Sequence, residues 1–425
     1  MKGLSLSMLT LLVLSTGSLA AETPELARQI AHGEYLARAG DCAACHTAPG
    51  GAAFAGGLKM TTPVGAIYST NITPDKQTGI GEYSLQAFAD ALRKGVTRDG
   101  TRLYPAMPYP SFAKINDDDI RDLYLYFTHR VKPVARPNQA SDIPWPLNMR
   151  WPLAMWDGLF REDGVYRPDT NKSAQWNRGA YLVQGLGHCG SCHTPRGIGF
   201  QEKALNQTDN SYLSGGTLEG WHAANLRGDT LSGLGRWSEE DLARFLKTGH
   251  SDMFAAFGSM VDVVQDSTQH LSDEDLQAIA AYLKSQPAGS EKPPQPVSTP
   301  SQLAHYVSSN GTPGTMAYLD NCAACHRSDG QGYRNTFPQL ADNPALLSED
   351  PSSVISIILN GSRTPMTVNA PTGLTMPDFG WRLSDDQVAQ IATFVRSSWG
   401  NKATPVTAEQ VKALRENGPR KPAQR

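Results

Sequence analysis

Three copies of one five-residue motif constrain this chain more than any other feature. All six cysteines stand in C-x-x-C pairs, and each pair is followed directly by a histidine, giving the motifs Cys42–His46, Cys189–His193 and Cys322–His326. On a helix, residues i, i+3 and i+4 are neighbours, so both thiols and the imidazole share one face. This spacing is the attachment signature of c-type haem, in which the thiols bond the porphyrin and the histidine reaches the iron.

Other roles for the cysteines fit the pattern less well. Disulfides in a secreted protein would not require a histidine after every pair. A tetrahedral zinc site needs two C-x-x-C units, so three units would leave one without a partner. Thioredoxin-like motifs are typical of cytosolic proteins and do not recur with histidine. We therefore predict three covalently bound haem c groups, attached through Cys42, Cys45, Cys189, Cys192, Cys322 and Cys325, with His46, His193 and His326 as iron ligands.

The N-terminus has the three parts of a secretory signal peptide. Lys2 is followed by an apolar run from Met8 to Leu14 and by Ser18-Leu19-Ala20, a small-x-small cleavage site. The run is far shorter than the roughly 20 residues of a spanning helix, so we predict a cleaved signal peptide at residues 1–20 and export to the periplasm. The net charge of −3 provides no basic field for nucleic acid. No later stretch is apolar enough to span a bilayer, which leaves peripheral attachment to a membrane.

Similar sequences flank the three motifs and predict tandem helical units. Gly33-Glu34-Tyr35-Leu36 and Gly179-Ala180-Tyr181-Leu182 precede the first two motifs, and Met316-Ala317-Tyr318-Leu319 is a looser copy before the third. Each marks the last turns of a helix that leads into its motif. Downstream, serine and glycine delimit a second helix in each unit. These helices are predicted from Ser84 to Gly95, from Ser238 to Gly249 and from Ser352 or Ser353 to Gly361.

A third predicted helix closes each unit. It begins at Asn116, Ser272 or Ser384, each followed by acidic residues that favour a helix N-terminus. No strand-alternating segment of any length appears, so the predicted fold is all-α, with three tandem cytochrome c-type domains that each wrap a haem. The predicted domains span residues 22–165, 172–286 and 302–401, with a proline-rich linker at 287–301 and a polar, partly disordered tail at 402–425.

The register of the repeat also predicts a second axial ligand for each iron. Methionine is the common partner of histidine in electron-transfer cytochromes, and it raises the reduction potential. Met107, Met260 and Met376 precede the third helix of their units by 9, 12 and 8 residues, whereas Met253 and Met366 lie much further from it. The alternative is that these methionines only fill the core. We predict that Met107, Met260 and Met376 ligate the three irons and close them to substrates.

Segments around the motifs carry a resemblance to a known family. They are Gly33–Cys42, Tyr68–Asp75, Leu103–Tyr109, Gly187–Arg196 and Met376–Trp381. From about Gly33 to Asn401 the chain resembles the three-haem cytochrome c subunits of membrane-bound bacterial dehydrogenases. These subunits serve flavin-dependent gluconate 2-dehydrogenase and related sugar or polyol dehydrogenases, or the quinoprotein alcohol dehydrogenase of acetic acid bacteria.

The resemblance implies an electron-relay subunit that has no substrate pocket of its own. Electrons would leave a flavin- or PQQ-dependent catalytic subunit, pass along the haems and reach ubiquinone or the respiratory chain. The complex, with a possible small third subunit, would dock on the periplasmic side of the inner membrane. The alternative is a multi-haem peroxidase-like enzyme, which needs an iron with an open sixth position, and the three methionines argue against it.

A segment rich in tryptophan and proline, Pro144–Trp156, has two interpretations. It can pack between the first two domains, as large apolar side chains usually do. It can also form a surface for a partner or a membrane interface, where tryptophan is enriched.

Overall fold

Helices joined by long loops make up most of the protein. A computed structural model describes residues 23–62, 64–162, 164–252, 254–289 and 312–418. The predicted signal peptide and most of the predicted linker lie outside these ranges. Within them, none of the helices combines the length and apolarity that crossing a bilayer requires.

The helices recur in three sets, one around each cysteine motif. The first set contains α1 Pro24–Ala39, α2 Cys42–His46, α3 Leu85–Lys94, α4 Tyr109–Phe112, α5 Asp117–His129 and α6 Leu153–Phe160. The second set contains α7 Ala174–Tyr181, α8 Gly190–His193, α9 Glu239–Thr248, α10 Met260–Asp262 and α11 Asp273–Lys284. The third set contains α12 Pro313–Asn321, α13 Ala323–His326, α14 Pro344–Leu347, α15 Ser352–Asn360, α16 Asp385–Ser397 and α17 Ala408–Asn417. Short π-helical turns follow α7 and α10, at Leu182–Leu186 and Val263–Ser267.

Each set also contains one short antiparallel hairpin, which the sequence does not predict. The hairpins pair β1 Lys59–Thr62 with β2 Gly65–Tyr68, β3 Gly216–Leu218 with β4 Trp221–Ala223, and β5 Ser362–Arg363 with β6 Thr375–Met376. Strands of two to four residues are too short to show a period-2 pattern. The prediction of a helical protein holds, but that of a chain without strands was wrong.

The capping residues at the predicted helix starts are confirmed. Their side chains accept a hydrogen bond from the backbone N–H three residues on, and they are Ser84, Asn116, Ser238, Ser272 and Ser384. Gly95 and Gly249 end α3 and α9 in the left-handed conformation, which glycine adopts without strain. In α15, Pro351 rather than a serine occupies the N-cap, and Ser352 is already helical.

The first helix of each set crosses the last one at a glycine. A Cβ atom on Gly33 in α1 would lie 1.9 Å from the carbonyl oxygen of Asp122 in α5. A Cβ atom on Gly179 in α7 would lie 1.9 Å from the carbonyl oxygen of Ala278 in α11. Because neither backbone carbonyl can move without its helix, these crossings require glycine.

In the third set, the glycine at this crossing is not where the repeat predicts it. Gly314 in α12 faces the carbonyl oxygen of Gln390 in α16, at 2.6 Å from the position of a Cβ atom. Met316, which the sequence aligned with Gly33 and Gly179, is instead exposed. The looser third copy was therefore aligned at the wrong residue.

The chain beyond residue 402 contains a helix where the sequence predicts a partly disordered tail. Helix α17 begins with a capping box between Thr407 and Gln410. Val411 is fully buried in the core of the third set. Arg415 donates to Asp385 at the start of α16, with 2.7 Å between Nε and Oδ1. Val411 and the partly buried Leu414, together with this ion pair, attach a mostly polar helix to the third set.

The first and second sets share one continuous hydrophobic core, whereas the third has its own. Tyr181 of α7 donates to Asp119 of α5 at 2.5 Å. Tyr35 of α1 and Arg178 of α7 both donate to Asp275 of α11, at 2.5 and 2.7 Å. These side chains join the helix pair α1 and α5 to the pair α7 and α11, so the first two cysteine motifs are held close together.

The segment rich in tryptophan and proline divides between packing and exposure. Trp156 of α6 packs on Tyr109, and its Nε1 donates to the carbonyl oxygen of Gly199 at 2.7 Å. By contrast, Trp145 and Trp151 are 78% and 66% exposed. The packing interpretation therefore holds for Trp156, and the interface interpretation stays a prediction for the exposed Trp145 and Trp151.

Candidate haem sites

The six cysteines are free thiols, with no disulfide between them. Among the described residues, no group of three or more His, Cys, Asp and Glu side chains is placed to hold a metal ion. Burial raises the pKa of Cys42, Cys189 and Cys322 to about 12. The disulfide and zinc alternatives therefore gain no support from the structure.

The three motif histidines are held in the same way. The Nδ1 atom of each lies at hydrogen-bonding distance from a backbone carbonyl oxygen further along the chain. The partners are Thr70 for His46 at 2.7 Å, Ala224 for His193 at 2.6 Å and Pro338 for His326 at 2.9 Å. A carbonyl only accepts, so Nδ1 carries the proton and Nε2 keeps its lone pair. Burial lowers the pKa of all three imidazoles, which favours the neutral form that can bind a metal.

A cavity of about 1370 Å³ opens beside the second motif. Cys189, Cys192 and His193 line it together with Met260, the predicted second ligand. The rest of the wall near the motif is mainly apolar, with Leu234, Trp237, Leu242, Phe245, Leu271, Ile279 and Leu283. Two thiols, an imidazole with a free Nε2 and a thioether in one apolar cavity fit a covalently attached haem.

A narrower cavity of about 210 Å³ lies at the third motif. Cys322 and His326 line it, and so does Met376 of β6. Tyr318, Ile391 and Val395 form part of its apolar wall. One cysteine, the histidine and the methionine of the second site thus have counterparts in this cavity, whereas Cys325 does not line it.

The first motif borders the core that the first two sets share. Cys42 and Met107 both pack against this core. A turn holds Met107, whose N–H donates to the carbonyl oxygen of Tyr104 at 3.1 Å and whose carbonyl oxygen accepts from Tyr109 at 2.7 Å. Tyr109 is fully buried and anchors the turn. Cys42 and Met107 thus border the same core, and ligation by Met107 stays a prediction.

Met366, the other candidate methionine of the third set, is placed differently from Met376. Met366 is exposed, and its Sδ accepts from Nη2 of Arg363 at 2.7 Å. Met253 lies outside the described residues. The position of Met366 favours Met376 as the sulfur ligand of the third site.

The sequence analysis does not predict the carbonyl acceptors of the motif histidines, although an asparagine marks two of them. Thr70 and Ala224 are each followed by an asparagine. The side-chain oxygen of Asn71 accepts from the backbone N–H of residue 73 at 2.9 Å, and that of Asn225 accepts from Arg227 at 2.8 Å. The same asparagine turn therefore presents the carbonyl to the histidine in both sets.

The three sites are neighbours, and the second lies in the middle. Ala39 and Asp41, which precede the first motif, line the larger cavity. His188, next to Cys189, lines it as well and packs edge-on against Phe112 of the first set, with 5.5 Å between ring centroids. On the other side, the larger and the narrower cavity share residues of their walls. The arrangement suits electron transfer between adjacent sites.

Comparison with known proteins gives consistent similarities. A family model for cytochrome c matches residues 177–287 and 312–399. The gluconate 2-dehydrogenase cytochrome c subunit of Pantoea cypripedii is 52% identical over 96% of this chain and 94% of its own length. The cytochrome c subunit of alcohol dehydrogenase (quinone) from Gluconobacter oxydans is 48% identical over 92% of this chain and 82% of its own. The fructose dehydrogenase cytochrome subunit of Gluconobacter japonicus is 38% identical over 98% and 90%, respectively.

Proposed function

This chain belongs to the family of cytochrome c subunits of bacterial dehydrogenases, and we propose that it relays electrons through three covalent haem c groups. The observation that carries the proposal is the threefold recurrence of one arrangement. Each motif offers two thiols and a histidine whose Nδ1 faces a backbone carbonyl oxygen. The proposed domains span residues 22–165, 172–286 and 302–401, the first two joined by a shared core.

The proposed ligands assign a task to each side chain. Haem supplies an iron that gains and loses one electron. Cys42, Cys45, Cys189, Cys192, Cys322 and Cys325 would attach the three groups, His46, His193 and His326 would bind the irons from one side, and Met107, Met260 and Met376 would bind them from the other. The hydrogen bond at Nδ1 fixes the ring and makes Nε2 a stronger ligand, while the thioether favours the reduced iron. A histidine and a methionine on each iron would leave it able to exchange electrons but not to bind substrate.

The partners follow from the relatives. They are named as subunits of gluconate, alcohol and fructose dehydrogenases. We infer that a flavin- or PQQ-dependent catalytic subunit delivers the electrons, with a small third subunit as a possible further component. Ubiquinone, or another carrier of the respiratory chain, accepts them at the periplasmic side of the inner membrane. A signal peptide at residues 1–20 would export the chain to that compartment.

Haem stoichiometry tests the number of haems in the proposed electron relay. The protein, produced with its leader in a host that matures c-type cytochromes, is expected to contain three haems per chain by pyridine haemochrome assay. The double variant Cys322→Ser and Cys325→Ser is expected to contain two. Ferrous protein that binds carbon monoxide readily would contradict the closed irons and favour the peroxidase-like alternative. A stoichiometry below three in the unaltered protein would overturn the three-haem proposal.

An exposed apolar surface formed by the first and second sets suits attachment to a membrane. Trp145, Trp151, Met155 and Leu159 project from the segment that contains α6. The neighbouring turn adds Ile198 and Phe200, whose intervening Gly199 lies against Trp156 and Phe160. Monomeric soluble proteins rarely expose so many large apolar residues together. Tryptophan favours the water–lipid interface. We infer that this surface, which we call the α6 surface, rests on the lipid bilayer.

Replacing two tryptophans of the α6 surface tests this attachment. The double variant Trp145→Ser and Trp151→Ser is expected to lose most of its binding to phospholipid vesicles in a flotation assay while keeping its haem spectrum. Trp381→Ser is a suitable control, because Trp381 is also 78% exposed but belongs to the third set. Trp156 is unsuitable, since it packs on Tyr109. Equal flotation of the double variant and the unaltered protein would exclude the α6 surface.

A further inference from the structure

The narrower cavity at the third motif is not enclosed by the third set alone. Its wall includes residues of the second set that lie 65 or more positions before Cys322 in the chain. They are Ala224, Asn225, Gly233, Leu234, Trp237, Phe245, Phe254, Ala255 and Phe257. The third cysteine motif therefore faces a surface that another set of helices supplies.

Aromatic rings form the centre of the wall that the second set contributes. Trp237 stacks on Phe254 with 5.3 Å between ring centroids, and Phe245 packs edge-on against Trp237 at 5.5 Å. Trp237 and Phe245 also line the larger cavity of the second site, whereas Phe254 lines the narrower cavity. Phe254 is thus a side chain of the second set that faces the third site.

Specific contacts hold the second and third sets together around this wall. Ser353 of α15 accepts from the N–H of His222 at 2.8 Å and donates to the carbonyl oxygen of His222 at 2.9 Å. Ser356 donates to the carbonyl oxygen of Gly220 at 2.8 Å, and both serines are buried. Arg334 pairs with Asp252, two residues before Phe254. Buried hydrogen bonds of this kind fix the relative position of the two sets.

We propose that the second set completes the third haem site, with Phe254 and Trp237 covering the third haem against water. The inference rests on the proposed haem at Cys322–His326. It adds that residues outside the third domain determine the potential of the haem inside it. Phe254 acts as a positioning and shielding residue, since it lines the cavity without offering a ligand.

The Phe254 ring is expected to change the reduction potential of the third haem, because the two oxidation states of the iron differ in charge. Oxidised haem iron carries one more positive charge than reduced iron, and water stabilises charge more than an aromatic ring does. Burial and solvent access are established determinants of haem potentials. Removing the Phe254 ring is therefore expected to favour the oxidised third haem about tenfold, which for one electron corresponds to a potential about 59 mV lower.

Spectroelectrochemical titration of the full-length haem protein tests this shift. The third haem is identified as the one whose midpoint potential changes in Met376→His. Phe254→Ala is expected to lower that same potential and to leave the other two nearly unchanged. Phe254→Leu, which keeps most of the volume, is expected to restore it in large part. Leu85→Ala is the control, because Leu85 is exposed and is not among the residues that line either cavity.

Two results would overturn the inference. One is an unchanged third potential in Phe254→Ala with three haems still attached, which would leave the proposed relay intact. The other is a shift of the second haem alone, which would place Phe254 in the second site. If Phe254→Ala does not accumulate, Phe254→Leu is compared with the unaltered protein, and a smaller shift of the third potential in the same direction is expected. A haem count below three in the unaltered protein would refute the proposed function itself.

Discussion

Gly179→Ala is expected to destabilise the protein by about 3 kcal/mol or more, at the upper end of the cost of overpacking a core. A Cβ atom at this position would lie 1.9 Å from the carbonyl oxygen of Ala278 and 2.8 Å from Cβ of Tyr282. Neither contact can be relieved by turning a flexible side chain, so α7 and α11 would have to separate. The separation would disturb the packing of Trp176 on Tyr282, which lie 5.1 Å apart by ring centroid. Urea denaturation followed by circular dichroism measures the loss.

Gly158→Ala provides the matched control for this prediction. Gly158 also lies within a helix, α6, but no atom stands within 4 Å of the position of a Cβ atom there. Alanine is favoured over glycine in a helix by up to about 1 kcal/mol, so this variant is expected to be unchanged or slightly more stable. Equal stability of the two variants would show that the close approach of α7 and α11 does not limit residue size.

The sequence predicts the helices well where local chemistry delimits them. Ser84, Ser238 and Ser384 satisfy free N–H groups at helix starts, and Gly95 and Gly249 allow left-handed ends. These effects act within one helical turn, and they are therefore visible in a short stretch of sequence. The hairpins and the packing of α17 depend on contacts with distant segments, such as Arg415 with Asp385. The start of α17 has a local signal, the capping box of Thr407 and Gln410, but the sequence analysis does not use it.

The number of residues between the crossing glycine and the motif differs among the three sets. Gly33 precedes Cys42 by 9 residues, Gly179 precedes Cys189 by 10, and Gly314 precedes Cys322 by 8. The π-helical turn at Leu182–Leu186 accommodates an added residue in the second set. The sequence aligns the third copy by its Tyr-Leu pair, but Tyr318 follows Gly314 by four residues, whereas Tyr35 and Tyr181 follow their glycines by two. The backbone contact at each glycine identifies the equivalent residue directly.

The sequence shows the motifs of the proposed haem sites but not the surroundings of those motifs. Cysteine and histidine must lie within one helical turn to share a porphyrin, so the motif is local. The carbonyl oxygens of Thr70, Ala224 and Pro338 belong to loops 12 to 31 residues further on. The wall that Phe254 provides to the third site depends on how two sets of helices pack, which is a property of the folded protein alone.

Met376→His is expected to lower the potential of the third haem on the order of 0.2 V, a fraction of the roughly 0.8 V range that axial ligands cover. Thioether sulfur stabilises reduced iron more than imidazole nitrogen does, so the substitution favours the oxidised state. The iron keeps two axial ligands and stays closed to carbon monoxide. About one third of the methionine–iron charge-transfer absorbance of the oxidised protein should disappear. Optical redox titration and the oxidised spectrum measure both changes.

Met366→His separates the two candidate sulfurs of the third set. Met366 is exposed and contacts Arg363, whereas Met376 lines the cavity with Cys322 and His326. The control variant is therefore expected to keep all three potentials and the full charge-transfer absorbance. The opposite result, with a change in Met366→His and none in Met376→His, would assign the ligand to Met366. That outcome would require the loop after β5 to fold into the cavity when haem is attached. In the structure, Met376 occupies the cavity wall, and its strand pairing with Ser362 holds it there.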